Sequence, residues 1–115
     1  MASGSASSDV AVRTIAADWQ TNVTDLRGQS GPFAFTCPAN PPASQRSHSV
    51  WGSGPYTDDS SVCRAAVHAG AITYEQGGRV VIEMRGGQSS YSGSTRNGVQ
   101  TLDYGAWGGG FVVIQ

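Results

Sequence analysis

Tyr56-Thr57-Asp58-Asp59-Ser60-Ser61-Val62-Cys63-Arg64-Ala65-Ala66-Val67-His68-Ala69-Gly70 is the stretch on which the reading of the chain turns. It predicts one short, capped helix that carries a cysteine. Asp58, Asp59, Ser60 and Ser61 are all residue types whose side chains accept hydrogen bonds from the free N–H groups at a helix start. The two aspartates also suit the positive end of the helix dipole. Gly70 supplies the left-handed residue that commonly ends a helix. Between these ends Val62, Cys63, Ala66 and Val67 recur at helical spacing, so one face of small residues can press closely against a sheet.

Outward from this helix the chain reads mostly as short strands. Upstream, Val10 to Ile15 alternates as a first strand, and Ala16 to Leu26 permits either a short helix or a loop. Arg27 to Pro32 is a turn. Pro32-Phe33-Ala34-Phe35-Thr36-Cys37 is a strand with Phe33 and Phe35 on one face. Three prolines between Pro38 and Ser49 mark an exposed loop, and Ser49 to Gly52 forms a brief strand. Downstream, Ala71-Ile72-Thr73 leads to the Gly77-Gly78 turn. Arg79 to Arg85 is the clearest strand, with Val80, Ile82 and Met84 facing one way. Gly86 to Gly98 is a glycine- and serine-rich loop ending in Asn97-Gly98, a tight-turn signal. Val99 to Leu102 and Gly110 to Ile114 are the last strands. Residues 1–8 are small and polar, without the basic start and apolar stretch of a signal peptide. They read as a flexible leader or tag ahead of a single domain, 9–115.

At 115 residues with 38% hydrophobic content, the chain can fill one modest core. Its 16 glycines favour turns and short strands. All 7 basic residues are arginines spread along the chain, and the net charge is −1, so no nucleic-acid footprint exists. No apolar run approaches the roughly 18 residues of a membrane span. The two cysteines, Cys37 and Cys63, read from composition either as one disulfide or as two buried thiols. A bridge would close a loop of about 27 residues, worth on the order of 3–4 kcal/mol.

Several motifs in order carry a family resemblance. They are Cys37-Pro38, Val50-Trp51-Gly52, the helix followed by Gly-Ala-Ile, and Gly77-Gly78 before a valine-rich strand. Ser90-Tyr91-Ser92, Asn97-Gly98-Val99, and an aromatic before Gly-Gly-Phe-Val-Val complete the series. In this array the sequence resembles the LCCL domain, densely from Val50 to Val113 and loosely over residues 10–36. Animal members typically have four cysteines in two bridges. Here Asn40 stands where the second cysteine of the family's Cys-Pro-Gly-Gly-Cys-like element would be, so this is a two-cysteine, bacterial-style version. The resemblance implies a Cys37–Cys63 disulfide, since the family bridges its helix cysteine. It also implies an α+β, β-rich single domain with a central short helix packed against β-sheets. The family belongs to secreted and extracellular proteins and to bacterial exported ones, which implies an extracellular or periplasmic location.

The chemistry-bearing residues mostly suit structural roles. His68 is the natural acid–base candidate, but the family carries a histidine here and a structural hydrogen bond explains it. His48 in the Pro/Ser loop reads as exposed. Asp58 and Asp59 cap the helix; as a catalytic pair with each other or with His68 they would give a weaker, hydrolase reading. A glycosidase would need its carboxyls roughly 5–10 Å apart across a cleft. The cysteines and histidines match no zinc spacing. Gly52-Ser53-Gly54 precedes Pro55 rather than a nucleophile elbow, and Gly86-Gly87-Gln88 lacks the Lys-Ser/Thr of a phosphate loop. Asn22-Val23-Thr24 fits a glycosylation sequon that also arises by chance.

No catalytic residue, metal or cofactor is therefore expected. The candidate ligand contacts are Tyr91 and Arg96 in the Gly86–Gly98 loop, with Tyr56 and Trp51 beside them. Tyr104 and Trp107 belong to the same aromatic set, although Trp51 and Trp107 equally suit a core. Aromatic faces with amide and guanidinium donors are what a sugar- or headgroup-binding surface uses. The expectation is a non-catalytic extracytoplasmic binding module. The resemblance implies glycan or lipopolysaccharide as ligand, since members occur in endotoxin-sensing and matrix-associated proteins. Partners would be a glycan, a lipid headgroup or a protein. The alternative is a structural or assembly subunit docking onto a larger complex.

Overall fold

The computed structural model describes residues 14–114. The expected leader, and the start of the expected first strand, lie outside the described residues. Seven strands and one helix follow in chain order: β1 (Thr14–Ala16), β2 (Pro32–Cys37), β3 (Tyr56–Thr57), α1 (Val62–His68), β4 (Gly78–Gln88), β5 (Thr95–Arg96), β6 (Val99–Gln100) and β7 (Trp107–Val113). A five-stranded sheet has the order β1-β2-β4-β7-β3, and β5-β6 form a separate hairpin. Only the β1–β2 pair is parallel; the others are antiparallel. The fold is thus α+β and β-rich, with one short helix, as the sequence implies.

Strand register builds the core. Phe33 pairs with Ile82 and Phe35 with Val80, while Ile82 pairs with Val113 and Met84 with Phe111. With side chains alternating along each strand, these pairings put the apolar members of β2, β4 and β7 on one face. There Phe35, Val80, Ile82 and Phe111 are buried against the Val62, Cys63, Ala66 and Val67 side of α1. Burying each large side chain contributes about 1.5–3 kcal/mol. Trp19 fills the same core, its indole N–H donating to the Pro38 carbonyl at 2.8 Å.

The helix is shorter than its sequence suggests, and its cap is a single residue. Ser61 is the N-cap, accepting from the Arg64 N–H at 3.2 Å while its hydroxyl donates to the Trp19 carbonyl at 2.8 Å. At the other end the Ala71 N–H bonds back to the Ala66 carbonyl at 2.9 Å, with Gly70 at φ 86° completing the stop. Asp58 and Asp59 sit in a turn ahead of the helix, not on it. The capping role expected of them is corrected: Tyr56 and Thr57 are held in the sheet by Phe111 and Gly110, so the chain must turn before it can coil.

Cys37 and Cys63 form a disulfide at 2.03 Å, tying the end of β2 to the first turn of α1. From residue 16, the end of β1, the chain continues to 26 as a loop with one 3-10 turn (Thr24–Leu26), not a helix. The expected Gly86–Gly98 loop is partly strand, at 86–88 and 95–96. β4 continues to Gln88, and Asn97-Gly98 is the positive-φ turn joining β5 to β6. Val50-Trp51-Gly52 makes only isolated bridges, Trp51 to Leu102 and Gly52 to Tyr56.

Candidate functional site: an aromatic ladder over a locked carboxylate

Asp58 lies at the centre of the molecule's main polar cluster. Its carboxylate is fully buried, yet three N–H donors reach it. Arg27 Nε donates to Oδ2 at 2.7 Å and Arg27 Nη2 to Oδ1 at 2.9 Å, a bidentate fork. Trp107 Nε1 donates to Oδ1 at 2.7 Å. The hydrogen bond to Asp58, followed by its negative charge, holds the Arg27 guanidinium above its usual pKa despite some desolvation. Gly109 makes the arrangement possible, because a Cβ there would sit 2.5 Å from Asp58 Oδ2 and 2.8 Å from Arg27 Nε.

This pair anchors a row of aromatic rings on the surface. The Arg27 guanidinium carbon lies 5.6 Å from the Trp107 ring centre. Tyr104 meets Trp107 edge-on at 5.6 Å, and Trp51 meets Tyr104 edge-on at 6.2 Å. Three distant segments are gathered by backbone bridges, Trp51 with Leu102 and Tyr91 with Tyr104. Tyr104 is 43% and Leu102 44% exposed, while Trp51 and Trp107 are half-buried. The ladder thus offers an apolar, rigid face to solvent, with a cation at one end. The Arg27 side chain is 44% exposed, and its remaining amino group, Nη1, is not used in the bonds to Asp58.

The residues singled out from sequence divide between frame and surface. Tyr91 is 3% exposed. Its hydroxyl accepts from the Gln88 N–H at 3.3 Å and donates to the Trp107 carbonyl at 3.3 Å. Tyr56 is 1% exposed, and burial pushes its hydroxyl pKa up to about 12, against a smaller opposing effect of Arg96. Neither ring presents a face to a ligand, so their expected role as direct contacts is corrected to framework. Glycines let the backbone close over both: a Cβ at Gly52 would meet the Tyr91 ring at 3.3 Å and one at Gly110 the Tyr56 carbonyl at 2.5 Å. Trp51 belongs to the ladder. Arg96 is exposed on the β5–β6 hairpin, on the residue before the Asn97-Gly98 turn.

His68 is fully buried, with both ring nitrogens engaged. The Tyr56 hydroxyl lies 2.9 Å from Nδ1, and Nε2 lies 3.1 Å from Ser94 Oγ. The chain continues from Ser94 to Ser53 Oγ at 2.7 Å and from Ser53 to the Ser92 carbonyl at 2.7 Å. Because the Ser92 carbonyl can only accept, each hydroxyl in turn must donate forward. That assigns the proton of neutral His68 to Nε2 and makes Tyr56 the donor to Nδ1. Desolvation, then the charge of Arg96, lowers the His68 pKa, partly offset by hydrogen bonding to the Ser94 backbone. His68 and Asp58 are thus both consumed by structural bonds. His48 is half-buried rather than exposed, its carbonyl accepting from the guanidinium of Arg64.

The Arg27–Asp58–Trp107 cluster had no signal in the sequence. Its members are 31 and 49 residues apart, and only the Gly108-Gly109-Gly110 run hinted that something approaches β7 closely. Among the described residues no group of histidine, cysteine and acidic side chains could hold a metal ion, and no helix is long and apolar enough to cross a membrane.

A disulfide-tied β-rich domain with a rigid aromatic face, and with His68 and the central carboxylate locked inside, has the form of an extracytoplasmic binding module. Comparison with known proteins agrees. The LCCL domain model matches residues 16–111. Vitrin of Mus musculus is 39% identical over 83 residues, covering 72% of this chain and 12% of vitrin. Clotting factor C of Tachypleus tridentatus is 37% identical over 100 residues, covering 86% of this chain and 10% of that protein. Cochlin of Cavia porcellus is 36% identical over 112 residues, covering 97% and 19%. The chain belongs to the LCCL domain family, a family of non-enzymatic modules, and spans under a fifth of the length of these relatives. Family and disulfide together place it outside the cytoplasm, where such bonds persist.

Proposed function

We propose that this domain binds glycans, the saccharide of lipopolysaccharide among them, through the Trp51–Tyr104–Trp107 ladder. The observation that supports this reading is the ladder itself: three rings fixed edge to face on an exposed surface, with a cation stacked on the last. Sugar rings present apolar C–H faces that stack on aromatic planes, and their hydroxyls or phosphates take donors at the rim. Arg27 Nη1 supplies such a donor. The underlying cluster holds Trp107 and Arg27 in place before any ligand arrives, so little side-chain entropy remains to be lost on binding.

Calorimetric titration against oligosaccharides and rough-type lipopolysaccharide tests the proposal with Trp51→Ala and Tyr104→Ala. Both changes should weaken binding about tenfold or more, the loss of roughly 1.4 kcal/mol. Tyr104→Ala should keep its thermal midpoint within about a few degrees, as surface substitutions do. Unchanged affinity in both variants would reject the ladder as the site.

A further inference from the structure

A concavity lies away from the ladder, at the C-terminal end of α1. It is an open cleft of about 510 Å³, within the size range of small-ligand sites. Three loops converge on it, contributing Arg46, Tyr74 and Glu75, and Asn97, above a floor of Val67 and Ile72. The sequence singled out none of these as ligand contacts.

Arg46 is the most prepared group in this cleft. Its guanidinium carbon lies 4.4 Å from the Tyr74 ring centre, and its Nε donates to the Pro41 carbonyl at 3.0 Å. Tyr74 is itself fixed, with Trp19 5.1 Å from its ring and its hydroxyl accepting from Arg64 Nε at 3.0 Å. Among the described residues, neither terminal amino group of Arg46 has a hydrogen-bond partner, and Arg46 enters no salt bridge. A half-buried guanidinium already stacked and oriented, with its outer fork free, matches a planar carboxylate.

The remaining walls include acceptors. Asn97 gives one of its two amide N–H groups to the His68 carbonyl at 2.9 Å, leaving its Oδ1 to accept. Glu75 is exposed and unpaired among the described residues. Acceptors facing one fixed cation suit a ligand whose sugar units each carry several hydroxyl donors and a single acid group. The Glu75 carboxylate also repels heavily charged groups, which selects against clustered sulfates or phosphates. We infer that this cleft is a second binding site, taking a saccharide unit with a single carboxylate, a uronic acid, on Arg46.

The test titrates the isotopically labelled chain with trigalacturonate and with its methyl ester, following backbone amides. The acid should shift the resonances of Glu75, Asn97 and Gly98, and the ester should bind about tenfold or more weakly, as the loss of a charged hydrogen-bond pair implies. Arg46→Gln should lose the acid-over-ester preference. Arg46→Lys keeps the charge and the apolar stem without the fork, and should recover only part of that preference. Glu75→Gln, at an exposed position, should raise affinity for a sulfated disaccharide. Equal binding of acid and ester, or shifts confined to other surfaces, would overturn the inference. Trp51→Ala and Tyr104→Ala should leave trigalacturonate affinity unchanged. If they abolish it, the acid binds on the ladder, and the second site falls while the ladder proposal stands.

Discussion

Replacing Asp58 with asparagine should be among the most damaging isosteric changes available to this domain. The carboxylate is fully buried and receives three N–H donors: Arg27 Nε on Oδ2, and Arg27 Nη2 and Trp107 Nε1 on Oδ1. An asparagine must set its own NH2 against at least one of them. With nitrogen in the Oδ2 position it opposes Arg27 Nε; with nitrogen in the Oδ1 position it opposes the other two. Neither orientation restores the bonding, and the charge that held the guanidinium is gone. Breaking a buried ion pair costs about 3–5 kcal/mol. The lower end applies because Arg27 stays 44% exposed and can recover water. About 3 kcal/mol should lower the thermal midpoint by roughly 10–20 °C in a domain of this size. Urea unfolding should show a lower midpoint with an unchanged slope. Gly109→Ala should act on the same cluster from outside, since its Cβ would fall 2.5 Å from Asp58 Oδ2. Asp59→Asn is the matched control and should shift the midpoint by little. If Asp58→Asn melts within about 3 °C of the parent, the three-donor account of this carboxylate is wrong.

Other perturbations probe separate parts of the fold. Ser61→Ala removes the single helix cap and should cost about 0.5–2 kcal/mol by urea denaturation. Reducing the disulfide frees a loop with a sequence separation of 26 and should cost about 3.5 kcal/mol, read as a lower urea midpoint with dithiothreitol present; an unchanged midpoint would refute it. His68 has a folded-state pKa below its unfolded value, so the unfolded chain takes up a proton first on acidification. Its contribution is therefore complete above about pH 7.5 and is lost as pH falls through about 6.5 toward the lower folded value. His68→Gln should flatten that part of the stability–pH curve, and an identical curve would show that other groups govern it.

What was legible in the chain was what is local. Ser61 and Gly70 bracket a helix of small residues, Asn97-Gly98 specifies a two-residue turn, and the alternation of Val80, Ile82 and Met84 fixes which face of β4 enters the core. The Cys37–Cys63 pairing was implied by resemblance, composition having left free thiols open. What stayed hidden depends on approach between distant segments. Asp58 looks like a cap because capping chemistry and ion-pair chemistry use the same side chain; Arg27 decides between them from another loop. Tyr91 looks exposed because serine and glycine surround it, yet those glycines let neighbouring backbone close over the ring. The ladder is invisible for the same reason, since Trp51, Tyr104 and Trp107 become neighbours only through cross-chain bridges.

The covalent bond between β2 and α1 also sets the fate of the domain after proteolytic attack. The loop from Pro38 to Ser49, much of it exposed, lies wholly between the two bridged cysteines. A protease that cuts there severs the backbone but leaves both pieces attached through sulfur. The N-terminal piece would carry β1 and β2, the C-terminal piece the remaining strands and the ladder, and the β2–β4 pairing would still hold them in register. In an extracellular fluid rich in proteases, such a nick would go unseen on a gel run without reducing agent, and the aromatic ladder would outlast the continuity of its own chain.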